Sequence, residues 1–298
     1  LVNLNHALSD KGYFLEVKEN YKFNKVLVVY YFYTDDLDEN LLNSKNKIRI
    51  GKNSELHFLD FIINKSKKNF FNNIYEDIIL EKSATLKNIY LQNDKSPGYF
   101  HKYTKNKLAS GANLTSFIFP TGLRFNKLDL EYNLEGENSV CNIQSAAFLN
   151  ENDHQEVKTR INHLYPNCKS YQKVKNVLNA DSKGVYQGKI FVKDVAQKTD
   201  AYQLSKAILL SERSEFNSKP ELEIYADDVK CSHGSTSGSL DKDSIYYLMT
   251  RGLSKQESTK LLVESFLNEI IESIKSSSLR NFIKTKLENQ LQNEHKKH

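Results

Sequence analysis

Through the first 240 residues the chain is made of short runs rich in β-branched and aromatic residues, separated by Gly, Asn, Ser and Lys. Val26-Leu-Val-Val-Tyr-Tyr-Phe-Tyr33 and Thr115-Ser-Phe-Ile-Phe119 are the densest, and runs of this kind bounded by turn residues predict strands. A seven-residue pattern recurs among them: apolar, three mostly polar or small residues, Ser/Ala/Asn, any residue, apolar. It reads Ile50-Gly-Lys-Asn-Ser-Glu-Leu56, Leu80-Glu-Lys-Ser-Ala-Thr-Leu86, Leu108-Ala-Ser-Gly-Ala-Asn-Leu114, Leu134-Glu-Gly-Glu-Asn-Ser-Val140 and, after a gap, Leu210-Ser-Glu-Arg-Ser-Glu-Phe216. The first four begin 30, 28 and 26 residues apart. Such a period is what a solenoid leaves in a sequence, because each coil places a strand and a turn at the same angular position. A coil cannot bury its inner face alone, so stacking makes the core. A β-sandwich of similar hairpins remains the competing architecture at this level.

After Gly238 the pattern changes to helical spacing. Asp241 to Thr250 predicts a short helix stopped at Gly252. Ser254-Lys-Gln-Glu257 is a capping box, and behind it Leu262, Phe266, Ile270 and Ile274 form an apolar stripe widened by Val263, Leu267 and Ile271. Leu279, Phe282, Ile283, Leu287 and Leu291 mark a third helix. The stripe is wide enough to pack internally and still offer a surface, and internal packing is expected in preference to a partner groove. The predicted organisation is residues 1–11 as the remnant of an N-terminal region, 12–238 as the strand domain and 239–298 as a helical domain; a start at Leu1 rather than methionine fits a missing segment.

Composition narrows the functional classes. The chain has 298 residues, 39% hydrophobic and 27% charged, with a net charge of +5, which is ordinary for a folded protein. The longest apolar run, Val26 to Phe32, is far below the roughly 20 residues that a membrane helix needs. With no secretory signal pattern, a cytoplasmic location is expected. Cys141, Cys168 and Cys231 are odd in number and widely spaced, so they read as free thiols. The basic tip His295, Lys296, Lys297, His298 reads as a solvated end, and no RNA-binding aromatic signature accompanies it.

Several sites can be weighed by their chemistry. Gly184-Val-Tyr-Gln-Gly-Lys-Ile190 is one residue short of a phosphate-binding loop and has no hydroxyl for magnesium, so no ATP is expected on this chain. Gly234-Ser-Thr-Ser-Gly-Ser239 reads as a turn leaving the strand domain. Asp227 and Asp228 are adjacent, so on a strand they face opposite sides and cannot flank one bond as paired carboxylates must. His154, His163 and Cys168 match no zinc spacing. Cys231 and His233 differ: on an extended strand they share a face, and a thiol beside an imidazole suits a soft or borderline metal. Two ligands are too few for a cluster, so further donors must come from elsewhere.

These segments carry a resemblance. Gly184-Val-Tyr-Gln-Gly-Lys-Ile, Ala196-Gln-Lys-Thr-Asp-Ala201, Leu209-Leu-Ser211, Lys219-Pro-Glu-Leu-Glu-Ile-Tyr-Ala-Asp-Asp-Val-Lys-Cys-Ser-His-Gly234 and Tyr246-Tyr-Leu-Met-Thr-Arg-Gly-Leu253 occur in the order of the SufB/SufD family of iron–sulfur cluster assembly proteins. The resemblance is dense from about residue 154 to 270. Serine rather than glycine between Cys231 and His233 is similar to the SufD branch. The resemblance implies a mainly β chain, a right-handed parallel β-helix with a C-terminal α-helical domain, acting as a non-catalytic scaffold. It implies a SufB-like paralogue as heterodimer partner and a SufC-like ABC ATPase bound by the helical end, through Tyr246, Tyr247, Leu248, Arg251 and Gly252. Cys231 and His233 would lie where the two β-helices meet, with His233 an iron ligand to a transient cluster shared with the partner. Two alternatives stay open here: the SufB-like, cluster-holding member of the same family and, more remotely, a secreted β-helix polysaccharide lyase. Neither nucleic acid nor membrane is implied as a partner.

Overall fold

The computed structural model describes residues 1–92 and 95–295; the basic tip Lys296–His298 lies outside them. After a short helix, α1 (Val2–Leu8), come β1 (Phe14–Val17), β2 (Lys22–Tyr33), β3 (Asn40–Ile50), β4 (Glu55–Asn64), β5 (Phe70–Leu80), β6 (Thr85–Gln92), β7 (Ser96–Leu108) and β8 (Asn113–Pro120). They continue as β9 (Leu123–Leu134), β10 (Val140–Leu149), β11 (His154–His163), β12 (Lys169–Leu178), β13 (Lys183–Val192), β14 (Thr199–Leu209), β15 (Glu215–Ile224) and β16 (Val229–Gly238). Three helices follow: α2 (Lys242–Thr250), α3 (Lys255–Ile271) and α4 (Ser277–His295).

Odd-numbered strands form one eight-stranded parallel sheet and even-numbered strands a second, each in strict sequence order. This is a β-solenoid: every coil supplies one strand to each sheet and bonds only to the coils above and below. A sandwich of hairpins is excluded, because hairpins pair antiparallel and every pairing here is parallel.

The repeat seen in sequence is one corner of the coil. Ile50–Leu56, Leu80–Leu86, Leu108–Leu114 and Leu134–Val140 each join an odd strand to the next even one. At this corner a left-handed residue recurs: Asn20, Asn53, Ser83, Gly111, Asn138, Asn167 and Lys198 all have φ between 55° and 68°. From Asn53 onward, a small buried residue follows each, namely Ser54, Ala84, Ala112, Ser139, Cys168 and Thr199. Asn and Gly tolerate that conformation, which is why they punctuate the chain. The fifth sequence match, Leu210–Phe216, belongs to the opposite corner, between β14 and β15. The true fifth member, from His163 through Cys168, was hidden because histidine and cysteine stand where leucine and Ser/Ala were expected.

In-register stacking turns each inward position into a column. Leu56, Leu86, Leu114, Cys141, Ser170, Ala201 and Cys231 form one, and most of the apolar core consists of such columns of Ile, Leu and Phe. The lumen also holds ions. Lys102 Nζ lies 2.8 Å from Asp60 Oδ2 of the opposite sheet and 3.0 Å from Glu76 Oε2, with all three side chains buried. Burial pushes the Glu76 carboxyl up. Burial also works against the Lys102 ammonium, but the two carboxylates outweigh it and hold that group well above the usual lysine range.

The helical stripe packs internally, against the solenoid. Val263, Leu267, Ile270 and Ile271 of α3, with Ile283 and Leu291 of α4, cluster with Leu59, Phe61, Ile89, Leu91, Phe117 and Phe148 on the outer face of the even sheet. The helices thus cover the sheet rather than chiefly one another. Sheet segments covered on both faces lose alternation, as in the continuous buried run Ser145–Leu149. Polar groups fix the docking: Lys173 Nζ is 2.7 Å from Glu269 Oε1, and Lys175 Nζ donates to Phe266 O at 2.8 Å and stands over its ring. The two lysines hold the Glu269 carboxyl down at about 2. Burial lowers Lys175 in spite of that carboxylate, so desolvation outweighs the pair on the lysine side.

Removing one member of a buried ion cluster strands the others without compensation, at a cost of about 3–5 kcal/mol. Lys102→Ala is therefore expected to destabilise the chain by about that amount in urea unfolding, with Asp60→Asn added to it recovering part of the loss. A K102A chain as stable as wild type would show that the cluster does not join the two sheets.

Candidate functional site

The solenoid ends on β15 and β16. Each has a neighbour on one side only, β13 and β14 respectively. Their inward side chains therefore form the open end of the lumen. On β16 the register places Cys231 opposite Ala201, His233 opposite Gln203 and Ser235 opposite Ser205. Ala201, Gln203 and Ser205 are all buried in the coil below, so Cys231, His233 and Ser235 occupy the lumen side of the last coil. Cys231 and His233 do share a face, as their spacing predicts.

Their environments differ. Cys231 is half-buried and packs with Val229 and Leu222 against the small cluster of Ile190, Val192, Ala201 and Ala226. Burial pushes its thiol up. A metal at this position must therefore displace a proton, since the thiolate is the ligand. His233 is exposed at the open end. Below it lies a polar layer. Ser205 Oγ is 2.8 Å from Ser218 Oγ on β15 and donates to Ser235 Oγ at 2.9 Å; Thr159 Oγ1 and Tyr186 OH both donate to Gln172 Oε1. Among the described residues no group of three or more His, Cys, Asp or Glu gathers elsewhere into a metal cage. The end coil presents one thiol and one imidazole on an unpaired edge.

Sequence reasoning missed the polar layer beneath the pair, because isolated Ser, Thr and Gln in strands look like solvent-facing positions. Two other expectations change. Gly234–Ser239 does not form a turn leading out; β16 continues to Gly238, held extended by the ladder to β14 despite its poor β propensity. Gly184-Val-Tyr-Gln-Gly-Lys-Ile190 is part of β13 within the odd sheet, with Gly184 and Gly188 inward, so it is no phosphate cradle.

The remaining candidates resolve into structural roles. His154 pairs with Glu156 at 3.1 Å on the outer face, whereas His163 faces inward 2.8 Å from Ser170 Oγ, its pKa pushed down to about 4 by burial. Cys168 is the corner residue, its sulfur 3.2 Å from Ser139 Oγ. Asp228 caps the turn before β16, accepting from the Lys198 N–H and donating its own N–H to Gln197 Oε1.

At the helical end Asp241 caps α2, Gly252 adopts φ 96° beyond its C-terminus, and Ser254 with Glu257 forms the reciprocal capping box. Tyr246 and Tyr247 are 70% and 56% exposed. Arg251 stacks over the Tyr247 ring at 5.2 Å, and Leu248 is partly buried. A cleft of about 410 Å³ lies beside them, lined by Leu209, Leu210, Leu240, Ile245, Tyr246 and Met249. Tyr246, Tyr247 and Met249 thus expose aromatic and aliphatic side chains on one short helix.

Fold and site together define a parallel β-solenoid with a helical C-terminal appendage and an open, Cys/His-bearing last coil. The family described as the SufBD core domain of the SUF system for FeS cluster assembly matches residues 32–266, and the chain belongs to the SufB/SufD family. The Escherichia coli iron–sulfur cluster assembly protein SufD is 28% identical over 241 residues, covering 81% of this chain and 57% of that protein. A SufBD family protein of Synechocystis is 29% identical over 211 residues, covering 71% and 47%. SufD of Plasmodium falciparum is 25% identical over 254 residues, covering 83% and 17%. The similarity thus falls on the SufD side of the family, and the chain spans about half the length of the first two relatives. The comparisons favour the SufB/SufD reading over the polysaccharide lyase alternative. No helix among the described residues is long and apolar enough to cross a membrane.

The three thiols are expected to separate by reactivity. Iodoacetamide at mildly alkaline pH should modify Cys231 in the native chain and leave Cys141 and Cys168 unmodified until unfolding, as read by peptide mass spectrometry. Equal labelling of all three would contradict the placement of Cys231 at an open end.

Proposed function

We propose that the chain is a SufD-type scaffold subunit that assembles iron–sulfur clusters in the cytoplasm within a SufBCD-type complex, without catalysing a reaction on its own. The observation that carries this is the last coil: an unpaired ten-residue edge on each sheet, with Cys231 and His233 on the lumen side of one of them. An exposed parallel edge is a ready template for another chain. A SufB-like paralogue pairing there would extend both sheets and supply the donors that a two-ligand half-site lacks. The nascent cluster is cargo shared across that seam. His233 would hold iron through a neutral ring nitrogen, and Cys231 would support the same site once its proton is lost.

The helical end has a separate task in this reading. Tyr246, Tyr247, Leu248, Arg251 and Gly252 form the surface that takes a SufC-like ATPase. ATP would bind to that partner; the segment Gly184–Ile190, which resembles a phosphate-binding loop in sequence, is a strand here. Because α3 follows α2 after a short turn and is docked on the even sheet, movement of the ATPase would be passed to the solenoid and its seam.

His233→Ala, co-expressed with the SufB-like and SufC-like chains of the same host, is expected to leave the complex assembled but reduce cluster content at least tenfold, read by iron and sulfide analysis and visible absorption. Undiminished cluster content in the purified variant complex would refute the role given to His233. Stable binding of iron and sulfide by the isolated chain would instead favour the cluster-holding member of the family.

A further inference from the structure

Directly beneath His233, in the same inward column, stands Gln203. It is fully buried. Its Nε2 donates to the carbonyl of Gly188 at 3.3 Å, and since a carbonyl only accepts, that contact fixes which end of the amide is which. Gln203 Oε1 is then left buried with no hydrogen-bond partner among the described residues. An orphan acceptor of this kind costs about 1–3 kcal/mol, so its persistence needs a reason.

The surroundings are shaped for this amide. A Cβ at Gly188 would overlap the Gln203 amide and the Tyr186 hydroxyl, so the bare Cα of that glycine is what lets the side chain cross the lumen. This gives Gly188 a purpose that a phosphate loop does not. The inward positions around His233 on β14 and β15, namely Ala201, Ser205, Ser218, Pro220 and Leu222, carry no ionisable group. Cys231 is the other titratable residue on the lumen face of its own strand. Of the groups one coil away, Gln203 is the register partner of His233 and offers an unused acceptor.

We propose that Gln203 is a positioning residue for His233: its Oε1 accepts the ring N–H that His233 does not use on the metal, fixing the tautomer and the aim of the other nitrogen. This rests on the reading of His233 as a metal ligand. Coils stack about 4.8 Å apart, so rotation of the imidazole about its own side-chain torsions brings the ring over the amide. Histidine ligands almost always donate their second nitrogen to such an acceptor, and loss of the acceptor typically costs 10–100-fold in metal affinity. The competing occupant of Oε1 is the amide of Gln172 one coil further in, whose Nε2 is likewise buried without a partner among the described residues.

The test is a double-mutant cycle on the chain within its complex with the SufB-like and SufC-like chains of the same host, with Co²⁺ as the probe, followed through its thiolate charge-transfer absorption. Gln203→Met is expected to weaken cobalt binding about tenfold or more in the wild-type background and to have no further effect in His233→Ala. Gln203→Glu, whose carboxyl when kept protonated by burial can donate to the Gly188 carbonyl and still offer an acceptor oxygen, should retain wild-type affinity and covers the case in which the methionine variant does not fold. An equal loss in both backgrounds would assign Oε1 to Gln172 and overturn the proposal. So would a loss in Gln203→Glu as large as in Gln203→Met, or a wild-type complex that gives no cobalt signal dependent on His233. Coupling in this cycle alongside normal cluster content in the His233→Ala complex would uphold the positioning and reject the assembly role.

Discussion

A parallel coil cannot satisfy its own backbone. Each strand gives its N–H and C=O groups to the coil above and the coil below, in register, and buried backbone groups left without partners are costly. That single requirement organises the molecule. It forces strict sequence order in both sheets and turns every second residue into part of a column. It also demands a repeated corner, met here by left-handed Asn, Gly, Ser or Lys followed by a small buried residue. The outer face of the even sheet needs cover of its own, and α3 and α4 supply it.

The same requirement makes the ends of the stack chemically distinct. At the far end the columns simply stop, so residues that would be buried in any middle coil lie open. Ala201 and Gln203 are buried, whereas Cys231 and His233, one coil on in the same columns, are half-buried and exposed. In the function proposed above, the cluster-building site and the dimer edge are one feature seen twice. A second solenoid pairing with the free backbone would close a lumen in which sulfur, imidazole and the polar layer below become interior. The raised thiol of Cys231 fits a site that stays protonated until a metal or a partner changes its surroundings.

Much of this was legible in the residues. Four of five repeat matches fall on one corner because Leu, Asn or Gly and Ala or Ser are demanded there by torsion and packing. The capping box at Ser254 and Glu257 is formed as read. The fifth match failed for a physical reason: the pattern describes a tight turn from one apolar strand to the next, and the opposite corner satisfies it as well. The lumen was the blind spot. Lys102, Asp60 and Glu76 sit at inward positions where alternation predicts apolar residues, and only the fold shows that they neutralise one another across it. Gly234–Ser239 misled in the other direction, since glycine and serine signal a turn locally while a parallel neighbour holds them extended. Of the candidate site, the shared face of Cys231 and His233 followed from spacing alone; Gln203 and Gly188 needed the fold, whose register sets Gln203 beside His233, 30 positions on, and whose lumen brings it to Gly188, 15 positions back.

The central claim is that the last coil is a pairing edge whose occupation creates the site. Amide hydrogen exchange of residues 215–238, compared between the isolated chain and the chain co-purified with its host's SufB-like and SufC-like proteins, tests it most directly. The account predicts strong protection of β15 and β16 only in the complex, while β11 to β14 are protected in both. Equal exchange of the two end strands in the presence and absence of partners would contradict it.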